Sequence, residues 1–389
     1  MITDLKGGTS VTYEGLQEKY MDFGHPRAMV LLGDKAFDSV GKGMVVDDIH
    51  VELTAGYEAS IASFRLYDSY DQKTGKFKFD KVSQQIVMGN TVTLQMGYLD
   101  SVETVFKGYI SGVSFGYEPG SLPYIEITAM DIKGVMMGGT YAASLKASTY
   151  SAAVMEVLQR TNPDTTDRPA VTDTPDAERA RTSGGGTKSS PITVEMVNES
   201  DYEFVVRAAK RYNYEFFVDR GKVIFRPAKN DTSILMKMGP RTGLQGFHIA
   251  YSVTGVVGEI EARAMNPGDG KVISANSKFN NTISTGSKAK KLVGKSSKVY
   301  VDSSITSSEE AQARVASLME KMSYRVGSLE GSCVGIPDLV PGRFIAVDGL
   351  GVPVDNNFYL TTVTHDFSSE AGFTTKIEGC AAQIKTSAF

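Results

Sequence analysis

Three side chains that could bind a metal ion alternate along one predicted strand. Asp48, His50 and Glu52 occupy every second position, and alternate residues of a strand point to the same face. Carboxylate and imidazole groups on one face could together hold a divalent metal ion. Polar residues are also the ordinary occupants of a strand face that is exposed to solvent. We interpret the three as a solvent-facing row and predict no metal site.

Two further patterns resemble catalytic motifs. His365 and Asp366 are sequence neighbours, so on a strand they would point to opposite faces and would not form a dyad. The segment Gly331–Gly335 matches a nucleophile elbow with Cys333 in place of serine. An elbow needs a strand before it and a helix after it, whereas here a predicted helix precedes and a strand follows. A buried thiol is the preferred interpretation of Cys333.

A glycine-rich stretch at 184–190 resembles a phosphate-binding loop. A residue intrudes between Gly186 and Lys188, and no strand leads into the stretch, as a phosphate loop requires. We interpret it as a flexible linker. The four histidines are widely separated along the chain. The sequence therefore predicts no catalytic residue, no cofactor and no enzyme. A wall-degrading enzyme that depends on Asp48 or His50 is the rival hypothesis.

Composition narrows the class of protein. The chain has 389 residues, of which 41% are hydrophobic and 22% charged, which is ordinary for a soluble protein of two or three domains. A net charge of −4 argues against specific nucleic-acid recognition, which relies on a basic surface. Two cysteines cannot form a disulfide framework. We expect no secretory signal and no membrane span.

One dense basic run stands out. It comprises Lys288, Lys290, Lys291, Lys295 and Lys298. A solvated loop is one interpretation, and contact with an acidic neighbour in an assembly is the other. We take Lys288, Lys290 and Lys291 as candidate contacts with a neighbouring subunit or a tube protein.

The surrounding elements read as strands, then a helical insert, then strands again. Seven apolar segments between 28 and 139 alternate with Gly, Asp, Asn and Pro turns, which predicts a closed or nearly closed barrel. A helix is predicted from about Tyr150. A second is predicted after Ser200, which has capping-box spacing to Glu203, and a hairpin over 214–225 follows it. A third is predicted over 306–322, with Thr306 and Glu309 as its capping box.

The C-terminal stretch from about Gly342 to Gly379 repeats the pattern of the stretch from about Gly89 to Ala129. The aligned pairs are Tyr109 with Tyr359, Ile110 with Leu360, Val113 with Val363, Phe115 with His365 and Ile127 with Ile377. Reaching the opening glycines requires a shift of three residues. Period-two alternation with glycine turns is typical of half-buried strands. The sequence therefore predicts two copies of one antiparallel β unit.

Two segments resemble a known family. The run SDYEFVVRAAKRYNYEFFVDRGKVIFRP, from Ser200 to Pro227, and the pieces FKGYISGVSF and YIEITAMD are similar to the phage late control protein D family. That family forms the baseplate hub of contractile tails and includes the hub portion of the VgrG spike proteins of type VI secretion. The resemblance extends over nearly the whole chain, from about Ala28 to Gly379.

The resemblance implies an α+β, mainly β fold of two similar antiparallel β-barrel domains with an intervening helix-hairpin insert. We expect an N-terminal arm (1–27), a first barrel (28–140), an insert (141–240) with a flexible loop (163–191), a second barrel (241–380) and a C-terminal tail (381–389). It also implies a homotrimeric hub that adapts a sixfold tail tube to a threefold spike.

The resemblance further implies a set of partners. They are a separate trimeric spike protein, because the chain stops just after the second barrel, together with the tail tube protein and other baseplate proteins. Ile384 and Phe389 are candidate spike contacts, with a frayed tail as the alternative. The expected location is the virion tail baseplate, or the baseplate of an injection system, assembled in the host bacterial cytoplasm. A β-rich carbohydrate-binding or receptor-binding tail module is the alternative function.

Overall fold

The structure is a computed structural model that describes residues 10–161, 168–176, 194–265, 270–279, 287–303, 305 and 307–385. The predicted α+β, mainly β class is confirmed. The described α-helices are α1 (Tyr13–Lys19), α2 (Ile132–Met136), α3 (Tyr150–Thr161), α4 (Asp201–Tyr212), α5 (Ser287–Val293) and α6 (Ser308–Ser323).

The strands are numbered in chain order. They are β1 (Pro26–Leu32), β2 (Lys35–Ala36), β3 (Val45–Thr54), β4 (Ile61–Tyr67), β5 (Tyr70–Asp71), β6 (Lys76–Phe77), β7 (Thr91–Tyr98), β8 (Ser101–Gly116), β9 (Tyr124–Met130), β10 (Tyr141–Ser144), β11 (Ala170–Val171), β12 (Glu195–Glu199), β13 (Tyr214–Asp219), β14 (Lys222–Pro227), β15 (Ile234–Met238), β16 (Leu244–Tyr251), β17 (Glu259–Met265), β18 (Val272–Lys278), β19 (Ser297–Val301), β20 (Gly327–Val334), β21 (Phe344–Val347), β22 (Asn356–Ser368) and β23 (Gly372–Ala381).

Thirteen strands form one central sheet. Its order is β16-β20-β23-β22-β3-β4-β9-β8-β7-β1-β2, and β21 pairs with β22 and with β15. Pairing between β22 and β3 joins the N-terminal and C-terminal strands into a single sheet. We predicted closed or nearly closed barrels; no closed barrel forms within the described residues, where the pairing of β22 with β3 joins the two sets of strands. One hydrophobic core runs beneath both sets.

The two sets of strands are two copies of one unit. Copy 1 has the order β3-β4-β9-β8-β7, and copy 2 has the order β16-β20-β23-β22-β21. Val113 lies opposite Ile127 and Val363 lies opposite Ile377, so both members of the pair are displaced by 250 residues. A register shift follows Ile110 in copy 1 and Leu360 in copy 2, at the same displacement. The predicted repeat is therefore confirmed, down to a shared β-bulge.

The predicted helix-hairpin insert is also observed. Ser200 caps α4, its hydroxyl accepts a hydrogen bond from the Glu203 amide at 3.1 Å, and the Glu203 carboxylate closes the predicted capping box. Strands β13 and β14 are joined by Arg220 and Gly221, whose φ angles are 51° and 90°, as a tight hairpin turn requires. The apolar faces of α3 and α4 pack with these strands into a second core.

A third, smaller core lies beneath the sheet β18-β17-β19, which α6 covers. The predicted third helix begins two residues later than expected. Its cap is Ser307, whose hydroxyl accepts from the Glu310 amide at 3.2 Å, rather than the Thr306 and Glu309 pair. Thr306 itself lies outside the described residues. Consecutive hydroxyl residues at 306–308 explain the ambiguity, because each could cap a helix.

Candidate interface edges

The junction between the two copies is an antiparallel pairing of β22 with β3. It places Val363 opposite Leu53 and His365 opposite Val51. These four side chains are no more than 4% exposed. They all face the shared core, because alternate residues of a strand point to one side. The junction thus buries a continuous row of three aliphatic side chains and the ring of His365 between the copies.

The opposite face of the junction carries an ion pair. The Nδ1 atom of His50 donates to Oδ1 of Asp366 at 2.7 Å, and Nζ of Lys376 donates to Oδ2 of Asp366 at 3.0 Å. The hydrogen bond to Asp366 raises the pKa of His50. The hydrogen bond from His50, supported by Lys376, lowers the pKa of Asp366. This contact therefore ties β3 to β22 across 316 residues of sequence.

His365 lies on the core side of the same strand. Its ring is fully buried, lies 2.9 Å from the hydroxyl of Thr375 and contacts the ring of Phe373. Burial, followed by the positive charge of Arg220, lowers the pKa of His365 to about 4. His365 and Asp366 therefore face opposite sides of the sheet and make separate contacts.

Each copy has one strand segment that corresponds to a segment of the junction. Among the described residues, no strand pairs with it on the side that is paired in the junction. Because β8 corresponds to β22, the segment 112–116 corresponds to 362–366 in the junction. Strand β16 corresponds to β3, since His248 pairs with β20 as His50 pairs with β4. In the described part of the chain, 112–116 has a strand neighbour on one side only, β9, and β16 has only β20. We call these two segments the free edges.

The free edges expose side chains whose counterparts are buried. Phe115 is 49% exposed, whereas His365 at the same position of copy 2 is 0% exposed. Phe247 is 43% exposed, whereas Ile49 at the same position of copy 1 is 3% exposed. Exposed aromatic residues on an unpaired edge are typical of a surface that a partner covers.

An aromatic cluster supports the first free edge. The ring of Phe115 makes edge contacts with the rings of Phe77 and Phe79, at 5.2 and 5.4 Å between centroids. Tyr117 stacks on Tyr70 at 5.3 Å. The short hairpin β5-β6 holds two of these rings. These contacts hold the exposed rings of Phe115 and Tyr117 in place before any partner binds, which reduces the entropy lost on association.

The candidate metal ligands do not converge. Asp48 has a φ of 50° and lies in a register shift between Asp47 and His50, so the strict alternation that we assumed is broken. Asp48 accepts a hydrogen bond from Tyr67, while His50 bonds Asp366 and Glu52 is exposed. Across the described ranges, no three His, Cys, Asp or Glu side chains form a group that could hold a metal ion.

The candidate contact residues occupy scattered positions. Lys288 and Lys291 are exposed on α5, and Lys290 belongs to the same helix, although its side chain lies outside the described residues. Ile384 is 6% exposed and belongs to the third core. Phe389 lies outside the described residues. Contact of Ile384 and Phe389 with a spike stays a prediction, and the side chain of Ile384 is already used within the chain.

The remaining motifs can also be placed. Cys333 is buried on β20, where burial raises its thiol pKa to about 12. A thiol held in its neutral form is a poor nucleophile, as expected for a structural residue. The glycine-rich stretch 184–190 lies outside the described residues. None of the α-helices described above is both long and apolar enough to cross a membrane.

Sequence reasoning missed the free edges and the ion pair between His50 and Asp366. The repeat contained a signal for the free edges. Aligning copy 1 with copy 2 assigns Phe115 to the position of His365. An aromatic residue at a position that is buried in one copy and exposed in the other indicates a surface awaiting a partner.

Comparison with solved structures shows which fold this is. The tail protein from Neisseria meningitidis MC58 shares 13% sequence identity, with a TM-score of 0.64 over 92% of this chain and 97% of that one. The 43 kDa tail protein of prophage MuSo2 from Shewanella oneidensis shares 12% identity, with a TM-score of 0.65 over 92% and 98%. The chain therefore has a fold that is shared with phage tail proteins.

A type VI secretion component has the same fold. The E. coli c3393 protein, described as structurally similar to T4 bacteriophage tail proteins gp27 and gp5, shares 12% identity, with a TM-score of 0.52 over 92% of this chain and 79% of that one. No curated protein sequence matches the chain. The family model described as the Alg8 N-terminal domain matches residues 38–369. The chain accordingly belongs to the Alg8 N-terminal domain family.

Proposed function

We propose that this protein is a structural hub of a baseplate, in a contractile phage tail or a related injection system. Three copies form a ring that adapts a sixfold tail tube to a threefold spike. The observation that carries the proposal is the pair of free edges, whose counterparts are joined within the chain. A unit that is present twice per chain appears six times in a trimer, which suits a sixfold neighbour.

The shared fold supports this role. The two tail proteins from N. meningitidis and S. oneidensis match over almost their whole lengths, so the likeness extends to the insert as well as to the repeated units. Such proteins are structural components of tails, and we propose a non-enzymatic role here too. The proposed partners are further copies of this chain, a separate trimeric spike, the tail tube protein and other baseplate proteins, in a baseplate assembled in the bacterial cytoplasm.

The domain organisation that we propose follows the repeat. A first unit over 28–140, an insert over 141–240 and a second unit over 241–380 place the insert between the two copies. An N-terminal arm and a C-terminal tail flank them. The shared core beneath copy 1 and copy 2 supports treating the units as a fixed pair and not as independently moving domains.

Light scattering tests the proposal. The chain is measured alone over rising concentration, because mass action governs assembly, and then together with the spike protein encoded beside it. We expect a species of three times the 42.0 kDa chain mass in at least one condition. A monomer in every condition would contradict the hub role. Glycan binding by that monomer would favour the carbohydrate-binding or receptor-binding module instead.

A further inference from the structure

We propose that the first free edge of one subunit pairs with the second free edge of the neighbouring subunit, in one defined register. This inference rests on the proposed ring and specifies the surface that holds it together. Segment 112–117 of one subunit lies antiparallel to segment 247–252 of the neighbouring subunit, and the sheet continues from chain to chain. The partner is a second molecule of this protein, because the in-chain junction already shows how these two kinds of strand fit together.

The register comes from the in-chain junction. There, Val363 lies opposite Leu53 and His365 lies opposite Val51. Residues of β22 map onto β8 at a displacement of 250. Residues of β3 map onto β16 at a displacement of 198, since His50 and His248 occupy the same register position. The resulting pairs are Gly112 with Ser252, Val113 with Tyr251, Ser114 with Ala250, Phe115 with Ile249, Gly116 with His248 and Tyr117 with Phe247.

The side chains agree with this register, although they played no part in deriving it. Three of the six pairs share the core-facing side, and every residue in them is apolar or aromatic. Val113, Ile249 and Tyr251 already pack against the main core, while Phe115 and Phe247 are 49% and 43% exposed. Cross-strand aromatic and β-branched pairs stabilise a sheet. The pairing would thus bury a row equivalent to the one beneath the in-chain junction.

A slip of one residue would destroy this match. Because side chains alternate with a period of two, a single-residue slip moves the whole apolar set to the other face. Phe115 would then lie opposite His248 or Ala250. The opposite face is small and polar in the proposed register, with Ser114 beside Ala250 and Gly112 beside Ser252. Like charges do not meet across the pairing, since His248 is the one residue in it that can carry a charge near neutral pH.

The two edges are different surfaces, so the contact is heterologous. A heterologous contact produces a closed ring if its rotation closes and an open filament if it does not. Each chain contributes one free edge of each kind, and both kinds are paired in a closed ring. Closure removes the unpaired backbone groups that otherwise make a sheet edge prone to aggregation.

Paired cysteines test the register. The double variant Ser114→Cys with Ala250→Cys places two exposed residues opposite each other between chains, and directly opposed strand residues lie within disulfide range. After mild oxidation of the native protein, we expect covalent products of two and three chain masses on a non-reducing denaturing gel. Mixing the two single variants should yield dimers only, because each chain then carries one reactive edge.

Two matched pairs control the geometry. Glu52→Cys with Thr364→Cys occupies the corresponding positions of the in-chain junction and should form an intramolecular disulfide. Ser114→Cys with Ser252→Cys is displaced by two residues, a diagonal separation of about 7–8 Å, and should link poorly. Equal linking of this displaced pair would overturn the register.

The outcomes separate this inference from the proposed function. A trimer by light scattering without a link between positions 114 and 250, while the in-chain control links, would overturn the edge pairing and leave the hub role intact. A chain that stays monomeric with its spike partner and forms no link would overturn both. Linked trimers from the double variant, and dimers from the mixed single variants, would establish the pairing.

Discussion

The backbone amides of Gly89 and Gly342 make the same hydrogen bond in the two copies, to the carbonyl oxygens of Ile110 and Leu360 at 2.8 and 2.9 Å. Both glycines have positive φ, at 86° and 83°. They differ in what surrounds them. A Cβ on Gly89 would have no neighbour within 4 Å, whereas a Cβ on Gly342 would lie 2.7 Å from Cζ of Phe217.

Alanine at these two positions separates backbone strain from crowding. Gly89→Ala should lower the free energy of unfolding by about 1–2 kcal/mol, the usual cost of a left-handed conformation for a residue with a Cβ. Gly342→Ala should lower it by about 1–3 kcal/mol more, because the ring of Phe217 must move. Urea unfolding of both variants measures the difference. Equal losses would contradict the predicted crowding at Gly342.

The buried His365 should make the fold sensitive to mild acid. Its pKa is about 4 in the folded state and about 6.5 when unfolded. The unfolded chain therefore binds more protons between these values, and stability falls as pH decreases from about 6.5 to 4. His365→Phe, which introduces the residue found at the same position of copy 1, should flatten this part of the curve by on the order of 2–3 kcal/mol. Urea midpoints at pH 7 and pH 5 test it, and an unchanged pH dependence would contradict it.

The ion pair between His50 and Asp366 should make the folded state less stable as the pH rises, which is the opposite of the effect of His365. The raised pKa of His50 means that its contribution is complete below about pH 6.5 and is lost as pH rises through the folded value. Asp366→Asn should remove this alkaline loss, which is under about 1 kcal/mol for a partly exposed pair. Unfolding at pH 6 and pH 8 measures it. Lys376→Met keeps the contact between His50 and Asp366, so this variant should still lose stability between pH 6 and pH 8. If it did not, the loss could not be assigned to His50.

A buried charge network joins the insert to copy 2. Nε of Arg226 donates to Glu215 at 2.5 Å and Nη2 donates to the carbonyl of Gly342 at 2.6 Å, while the hydroxyl of Tyr359 donates to Glu215. Arg226 and Glu215 are 10% and 6% exposed. Glu215→Gln leaves the guanidinium without its counter-charge and should cost about 3–5 kcal/mol.

Two further variants calibrate this loss. Tyr359→Phe removes one hydrogen bond to a carboxylate and should cost about 1.5–3 kcal/mol. Glu261→Gln breaks the solvent-exposed pair with Arg263 and should leave the urea midpoint unchanged, since exposed pairs contribute little. A Glu215→Gln variant as stable as Glu261→Gln would show that the buried network does not hold the insert in place.

The sequence predicted those elements whose signals are local. The capping box at Ser200 and the strand repeat from Gly89 and Gly342 were predicted correctly, because a cap and a strand register depend on neighbouring residues. The sequence could not decide whether the predicted barrels close, because closure depends on which distant strands pair. Nothing near His50 indicates that its partner lies 316 residues away.

The candidate contacts show the same division. Ile384 was chosen as one of the last residues of the chain, but its side chain lies in the third core, together with side chains of α6. The repeat shows which positions of the two copies correspond, but finding the free edges also means asking which of those positions are buried in one copy and exposed in the other. That comparison requires knowledge of the pairing between β22 and β3, which no local pattern contains.

Duplication within one polypeptide also determines how the proposed ring would respond to dilution. A ring of three chains would contain six junctions, of which three lie within the chains, one in each. At these three junctions the two units are covalently linked, so their effective concentration does not depend on the protein concentration. The other three obey mass action. Dilution would therefore release whole chains, each with its two units still joined between β22 and β3, and reassembly would require three bodies to meet instead of six.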